Sequence, residues 1–304
     1  MNQLTLSVAV ARALASSGHF ALQLGSGANA DISLLESSEG GNVFGEVVTE
    51  PNGPEPFPKK HLGPPQRDDL VVHVGLSMSN ALFDWIAGAW TSQPQTKDGA
   101  VLATDFKLDV KTALSFGGAL ITEMTVPTLD AASKDTGLLT VKFSPSTVAA
   151  APASGKLSLA FSKQKLWRTS NFRLQIAGID CTRVSKIESF TVKREVATDQ
   201  TSSLIPGDID FPNLTITLSQ VGSQAWHAWH EDFVLNGNNG EGFERNGSIS
   251  FLSPDLKTEL SRIDLRNLGI MRLAAAPTES GQVTRLIAEL YCEEMVLTHP
   301  GGGS

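Results

Sequence analysis

The feature that most constrains the fold is a segment, residues 70–90, in which a strand pattern passes directly into a helix pattern. Leu70, Val72 and Val74 alternate with other residues, which predicts a half-buried β-strand. From Met78 onward the apolar residues follow the i, i+3, i+4, i+7 spacing of one helical face, which predicts an amphipathic α-helix. Ser77 or Ser79 can cap the start of that helix by accepting a backbone N–H.

The same strand–helix unit recurs at residues 214–234, where Trp229 stands in the place of Trp85. The strand that comes first in each half also recurs, because FRLQI at 172–176 matches FALQL at 20–24. One helix pattern can recur by chance, but a strand, a turn, a strand–helix unit and closing strands in the same order rarely do. We therefore predict a duplicated chain.

Each half contains many short strands and one helix, which is typical of an antiparallel β-barrel or β-sandwich. The predicted fold class is mainly β, α+β in minor part, with two tandem barrel or sandwich domains that each carry one flanking α-helix. For 304 residues we predict a first domain at 1–160, with an N-terminal arm and a Pro-rich loop, and a second domain at 161–298. Residues 299–304 are expected to be a flexible Gly-rich tail, and whether GGGS is native stays open.

Three connecting segments have distinctive compositions. Strand-like stretches on both sides of Gly40 and Gly41 predict a hairpin over residues 36–50, with its counterpart at 184–196. Residues 51–69 hold six of the chain's 15 prolines and are predicted to lack regular structure. Residues 144–158 are rich in Pro and Ala and are predicted to form a linker.

The composition excludes several classes of protein. A formal net charge of -8 argues against nucleic-acid binding, which needs a basic face. The sequence has no uncharged apolar run of about 18 residues, so no membrane span is predicted. Its start lacks the basic region of a secretory signal. Cys181 and Cys292 are predicted to be reduced core thiols rather than a disulfide framework.

No set of residues predicts catalysis, and the chain is not expected to be an enzyme or to hold a cofactor. His227 and His230 have the i, i+3 spacing of one helical face, but further ligands for a metal are missing, so no metal site is predicted. Trp85, Ile86, Trp226 and Trp229 stand at helical spacing and are predicted to anchor the two helices in the core.

Three runs of residues carry a resemblance to a known family: LLESSEGGNVFGEVV, KKHLGPPQRDDLVVHVG and SMSNALFDWIAGAW. They resemble the tail-tube proteins of contractile phage tails and related injection systems. Those proteins show an early strand, a Gly-containing hairpin, a strand after a Lys-containing loop, and a helix that ends in a Trp–hydrophobic pair. The resemblance is direct over residues 20–145 and extends to 165–297 through the internal repeat.

The resemblance implies subunits that join edge to edge into rings, and rings that stack into a tube. A closed ring pairs strand edges that would otherwise be adhesive. The hairpins of the family line the channel, which implies lumen-facing positions at Glu39, Gly40, Gly41, Asn42, Glu46, Lys193 and Arg194. In the first copy, acidic residues would weaken the adhesion of an acidic cargo such as DNA, whereas basic residues in the second copy oppose this effect; the acids are Glu36, Glu39, Glu46 and Glu50, and the bases are Lys186, Lys193 and Arg194.

Two copies of the domain in one chain imply a trimer that forms a pseudo-hexameric ring, with a hexamer as the alternative. The implied partners are neighbouring tube, sheath or baseplate proteins, and the implied position is the tube or its hub-adaptor. The chain would be made in the bacterial cytoplasm and then enter a virion tail or a phage-tail-like particle. The alternative function is a monomeric β-sandwich binding module with a Pro-rich recognition loop, and the oligomeric state distinguishes the two.

Overall fold

A computed structural model describes residues 18–26, 30–50, 57–157, 167–199, 203–276 and 284–299. These residues form antiparallel β-sheets with two α-helices, α1 at Asn80–Ala89 and α2 at Gln224–His230, which confirms the mainly-β fold class. No helix in these ranges is long and apolar enough to cross a membrane. The predicted N-terminal arm up to residue 17 and the Gly-rich tail from residue 300 lie outside the described residues.

The strands of the first half lie between residues 19 and 152. In chain order they are β1 (His19–Leu24), β2 (Asp31–Leu35), β3 (Ser37–Gly40), β4 (Val43–Glu50), β5 (Lys59–Arg67), β6 (Leu70–Val74), β7 (Lys97–Thr104), β8 (Val110–Val126), β9 (Leu129–Asp130), β10 (Leu139–Ser144) and β11 (Thr147–Pro152).

The strands of the second half lie between residues 172 and 298. They are β12 (Phe172–Ile176), β13 (Val184–Ile187), β14 (Phe190–Thr198), β15 (Leu204–Asp210), β16 (Leu214–Ser219), β17 (Arg245–Leu252), β18 (Glu259–Ala275) and β19 (Arg285–Thr298). Between α2 and β17 the chain makes a π-helical turn, Glu231–Leu235, and a 3-10 turn, Glu241–Phe243.

The two large sheets share one strand order. The first sheet follows β2-β1-β7-β8-β10-β6-β3, and the second follows β12-β17-β18-β19-β16-β13-β9. Six strands of the first sheet therefore have a counterpart in the second. The corresponding pairs are β1 and β12, β7 and β17, β8 and β18, β10 and β19, β6 and β16, and β3 and β13. In addition, β11 and the β14–β15 pair join the first sheet, while β4 and β5 form a separate two-stranded sheet.

Helix α1 begins as the sequence predicts. The Ser79 hydroxyl accepts a hydrogen bond from the backbone N–H of Leu82 at 3.3 Å and so caps the helix. The apolar face of the helix is buried on the first sheet, where the rings of Trp85 and Phe143 lie 5.3 Å apart. Helix α2 buries Trp226 and Trp229 in the same way on the second sheet.

Three sequence predictions are wrong. Residues 36–50 are not a hairpin, because β3 pairs with β6 whereas β4 pairs with β5. The Pro-rich segment contains the regular strand β5, with Pro64 at a β-bulge and Pro65 beside it; bulges and edge strands are the places where sheets accommodate proline. The predicted linker contains β11, whose small residues pair with residues 112–117 of β8.

The two halves share one interior. A continuous cluster of buried apolar side chains includes Leu70 and Trp85 from the first half as well as Ile216 and Trp229 from the second. Backbone pairing also joins the halves, since β9 pairs with β13 and β14 pairs with β8. The predicted boundary at residue 160 falls within 158–166, outside the described residues, and stays a prediction.

Candidate assembly interface

The β4–β5 pair, called here the first hairpin, projects without a third strand in the described part of the chain. Every residue of β4 is exposed, although four of its eight residues are valine or phenylalanine. Six large apolar side chains on or beside this hairpin are exposed: Val43, Phe44, Val47, Val48, Phe57 and Leu62. A cluster of this kind on a strand pair is typical of a surface that another strand covers.

Two glycines direct the chain out of the first sheet and into the first hairpin. Gly40 and Gly41 both adopt positive φ, at 86° and 71°. A Cβ on Gly40 would lie 1.9 Å from the carbonyl oxygen of Asp69, and one on Gly41 would lie 2.7 Å from the Leu114 side chain. Only glycine fits this path, so the Gly-Gly pair acts as a bend between two sheets rather than as a hairpin turn.

The β14–β15 pair, called here the second hairpin, occupies the corresponding place in the second half but is covered. Its strand β14 adds to the edge of β8, with Thr191 opposite Thr125 and Lys193 opposite Glu123. The two threonine hydroxyls lie 2.8 Å apart. Phe190 and Val192 are buried in this contact. We call residues 123–126 of β8 the covered edge.

The Arg194 side chain attaches the second hairpin to the first half by hydrogen bonds. Its side chain is 8% exposed, and its Nε and Nη2 donate to the backbone carbonyl of Ala89, at the end of α1, at 3.1 and 3.0 Å. Nη2 also donates to the Thr91 carbonyl, and Nη1 donates to the Gly207 carbonyl within the hairpin. The last carbonyls of a helix lack intrahelical donors and carry partial negative charge, so a guanidinium from the other half caps α1.

The second sheet has a matching edge that no strand covers in the described part of the chain. Beyond its pairing with β17, β18 continues through residues 272–275, which pair with β19 on one side only. In this segment Arg272 is exposed and Leu273 is half-buried, and Met271 at the preceding bulge is exposed as well. We call residues 272–275 the open edge.

The two edges carry opposite charges at corresponding positions. On the covered edge, Glu123 forms an ion pair with Lys142 of β10 at 3.4 Å. On the open edge, Arg272 forms an ion pair with Glu289 of β19 at 2.9 Å. The acid and the base have exchanged strands between the two halves, and in each half the ion pair lies directly beyond a bulge.

The structure places the predicted lumen-facing residues in three settings. Glu39, Asn42, Glu46 and Lys193 are exposed, and Gly40 and Gly41 form the bend described above. Asn42 donates to the Asp68 carboxylate at 2.9 Å, and Glu46 accepts from Gln66 at 3.0 Å. Arg194 must be dropped from this set, because its guanidinium is buried against α1 rather than facing solvent.

All four predicted helix anchors are buried: Trp85, Ile86, Trp226 and Trp229. The indole N–H of Trp85 donates to the Gln95 carbonyl, and that of Trp226 donates to the Asp180 carbonyl, each at 2.9 Å. The Arg245 guanidinium lies 5.3 Å from the ring centre of Trp229.

Neither the histidines nor the cysteines form a reactive centre among the described residues. His227 is exposed and His230 half-buried, and no group of three or more His, Cys, Asp or Glu side chains there could hold a metal ion. Burial raises the pKa of both thiols, Cys181 and Cys292, to about 11, so each stays protonated at neutral pH.

Several solved structures match this chain at low sequence identity and over less than half of its length. The tube-terminating cap of the anti-feeding prophage matches with a TM-score of 0.38 and 20% identity, over 44% of this chain and 88% of that chain. A chain of the PVC extracellular contractile injection system, in its extended sheath–tube complex, gives the same TM-score, identity and coverage. Hcp1 from Flavobacterium johnsoniae matches with a TM-score of 0.27 and 17% identity, over 43% of this chain and 95% of that chain.

The structural neighbours are tube, tube-terminator and baseplate proteins of contractile injection systems. No protein-family model matches the sequence, and no curated protein matches it significantly.

Sequence reasoning missed the open edge and the role of Arg194. The open edge is invisible in the sequence because residues 272–275 have the same strand pattern whether or not a neighbour covers them. Arg194 contacts a helix end more than 100 positions away in the chain, and no local pattern announces such a contact.

Proposed function

We propose that this chain is a structural subunit of a phage-tail-like tube, in which copies join side by side into the rings of a contractile injection apparatus. One observation carries the proposal. The second hairpin adds a strand to a sheet edge within the molecule, whereas its counterpart, the first hairpin, exposes its apolar residues. Among the described residues, the chain therefore offers a strand donor in the first hairpin and a strand acceptor at the open edge, each without a further strand partner there.

We further propose that the chain consists of two tandem tube-like domains. The shared strand order of the two large sheets and the presence of one hairpin in each half support duplication. In that case the contact between the second hairpin and β8 within one chain is equivalent to the contact between neighbouring chains in the ring. Three two-domain chains would fill six similar positions, so the proposed ring is a pseudo-hexameric trimer.

The difference between the halves favours a place where each half meets a different neighbour. A hub or adaptor ring, where threefold symmetry passes to sixfold, is such a place. Its partners would be neighbouring tube, sheath or baseplate proteins, and the chain would act without catalysis. It would be made in the bacterial cytoplasm and then enter a virion tail or a phage-tail-like particle, with Glu39 and Glu46 exposed toward the channel.

Native mass spectrometry and negative-stain imaging of the purified protein test this proposal. The expected result is a ring of three chains with a central channel, and six chains per ring would overturn the stoichiometry but not the role. A monodisperse monomer at high concentration, without stacked rings or tubes, would contradict the proposed function and favour a binding module instead.

A further inference from the structure

We propose that the first hairpin of one copy pairs with the open edge of the next copy in one defined register, and that the exchanged charges select this pairing. This inference rests on the proposed ring. It adds which strand meets which edge, residue by residue, and what prevents the wrong hairpin from docking.

The register follows from bulges at matching places. The first hairpin has a bulge between Gly45 and Val47, and the second has one between Arg194 and Val196. Gly45 therefore corresponds to Arg194, which makes Phe44 the counterpart of Lys193.

The two edges can be aligned in the same way. A bulge between β8 and β10 falls at Lys142/Phe143, and one between β18 and β19 falls at Ile270/Arg272. Directly beyond each bulge, Glu123 faces Lys142 and Arg272 faces Glu289. Glu123 thus corresponds to Arg272, and Thr125 corresponds to Ala274.

The contact within the chain then predicts the contact between chains. Because Thr191 lies opposite Thr125 and Lys193 opposite Glu123, Asn42 of one copy lies opposite Ala274 of the next, and Phe44 lies opposite Arg272. Val43, the counterpart of Val192, lies opposite Leu273. Val192 and its partner Met124 are 3% and 1% exposed, whereas Val43 is 54% exposed. Docking would bury Val43 and Leu273 as the second hairpin buries its own pair.

The exchanged charges decide which hairpin fits which edge. At the covered edge, side chains on three neighbouring strands alternate between positive and negative charge. They are Lys193 on β14, Glu123 on β8 and Lys142 on β10. The same Lys193 on the open edge would lie opposite Arg272, and like charges directly across a sheet are destabilising. Phe44 carries no charge, and its ring can pack against the Arg272 guanidinium. The open edge therefore accepts the first hairpin and disfavours the second.

In the described part of the chain the donor hairpin and the acceptor edge lie on different halves, so their pairing between copies is a head-to-tail contact. Such contacts generate closed rings when the rotation closes and open filaments when it does not. In either case first and second halves alternate along the assembly, so that identical halves never meet side by side.

Paired cysteines test the register. The variant Asn42→Cys/Ala274→Cys places two thiols where the template positions, Thr191 and Thr125, bring their hydroxyls within 2.8 Å. Oxidation is expected to give a ladder of disulfide-linked chains on a non-reducing gel, ending at the number of chains in the ring. The matched control is Asn42→Cys/Leu273→Cys, which places the thiols on opposite faces of the sheet. Single-cysteine variants supply the background from Cys181 and Cys292.

A charge exchange tests the selection. Phe44→Lys is expected to weaken self-association roughly tenfold, because it replaces a ring–guanidinium contact by two like charges, while the monomer stays folded by circular dichroism. Adding Arg272→Glu and Glu289→Arg, which keeps the ion pair in reversed order, is expected to restore assembly. A Phe44→Lys variant that assembles like the wild type would overturn the charge selection.

The outcomes separate this inference from the proposed function. Rings that form without a 42–274 disulfide, or with equal linking in the 42–273 control, would overturn the register and leave the ring intact. A wild-type chain that stays monomeric would overturn both.

Discussion

The two hairpins of this protein are built alike and surrounded differently. Both are antiparallel pairs with a bulge at the same place. The second lies against β8 with Val192 3% exposed, while the first extends from the molecule with the corresponding Val43 54% exposed. An exposed apolar strand of this kind is expected where the partner edge belongs to another chain.

The residues that make the hairpins differ lie at their bases. The first hairpin leaves its sheet through Gly40 and Gly41, where the second has Ser189 and Phe190. The second hairpin carries Arg194, which caps α1, where the first has Gly45. One hairpin is therefore bent away from its own half, and the other is fixed to a neighbouring half.

The largest loss of stability is expected for substitutions of the tryptophans that anchor the two helices. Trp85→Ala and Trp229→Ala should each lower the free energy of unfolding by about 3–5 kcal/mol, since each removes a buried indole that anchors a helix. Chemical denaturation followed by circular dichroism measures this, with Trp→Phe at each site as the milder control. An unchanged unfolding midpoint for either alanine variant would show that its helix is not anchored as described.

The next largest loss of stability is expected on substitution of Arg194, which should affect the second hairpin but not the first. Arg194→Ala should cost about 2–3 kcal/mol, because it leaves the buried carbonyl of Ala89 without its two side-chain donors and removes the hydrogen bond to the exposed Thr91. Hydrogen exchange should accelerate in β14 but not in β4. Arg194→Lys should recover only part of the loss, since lysine cannot reproduce the guanidinium fork. Equal exchange rates in β14 of the wild type and the alanine variant would contradict the claim that Arg194 holds the second hairpin in place.

A smaller effect is expected at the bend of the first hairpin. Gly40→Ala should cost about 1–3 kcal/mol, because alanine is strained at positive φ and its Cβ would overlap the Asp69 carbonyl. Gly88→Ala, in α1 with open space around it, is the matched control and should stabilise the protein by about 0.5–1 kcal/mol. Thermal unfolding of both variants measures the difference. An unchanged melting temperature for Gly40→Ala would show that the bend does not require glycine at this position.

The smallest expected effect on the isolated chain concerns the matched valines. Val43→Ser should change the stability of the dilute monomer by less than about 0.5 kcal/mol, because the side chain is already in water. The same change at Val192 should be clearly destabilising, since it buries a hydroxyl in the contact with β8. Val43→Ser should nevertheless weaken assembly, measured by sedimentation. Equal costs at the two positions would mean that the hairpins are not different in the way described.

Much of the local structure could be predicted. The strand–helix unit at residues 70–90, its repetition at 214–234, the cap at Ser79 and the buried tryptophans all follow from short-range spacing. The predictions that were wrong concern pairing between segments. Residues 36–50 have a hairpin composition, yet β3 and β4 pair with different strands, because Leu70 and its neighbours offer β3 a buried partner. Prolines suggested irregular backbone at β5, yet an edge strand with a bulge accommodates them.

The mainly-β class, the two helices with their buried faces and the repeated order of the elements can be inferred from the sequence alone, because these depend on residues a few positions apart. The covering of one hairpin, the contacts of the Arg194 guanidinium and the edge without a strand partner among the described residues follow from tertiary contacts alone. Those properties depend on contacts across the two halves, such as Lys193 opposite Glu123 and Arg194 at the end of α1. A strand of given composition carries the same backbone donors and acceptors in every setting, so what it pairs with is settled by the fold that brings an edge within reach.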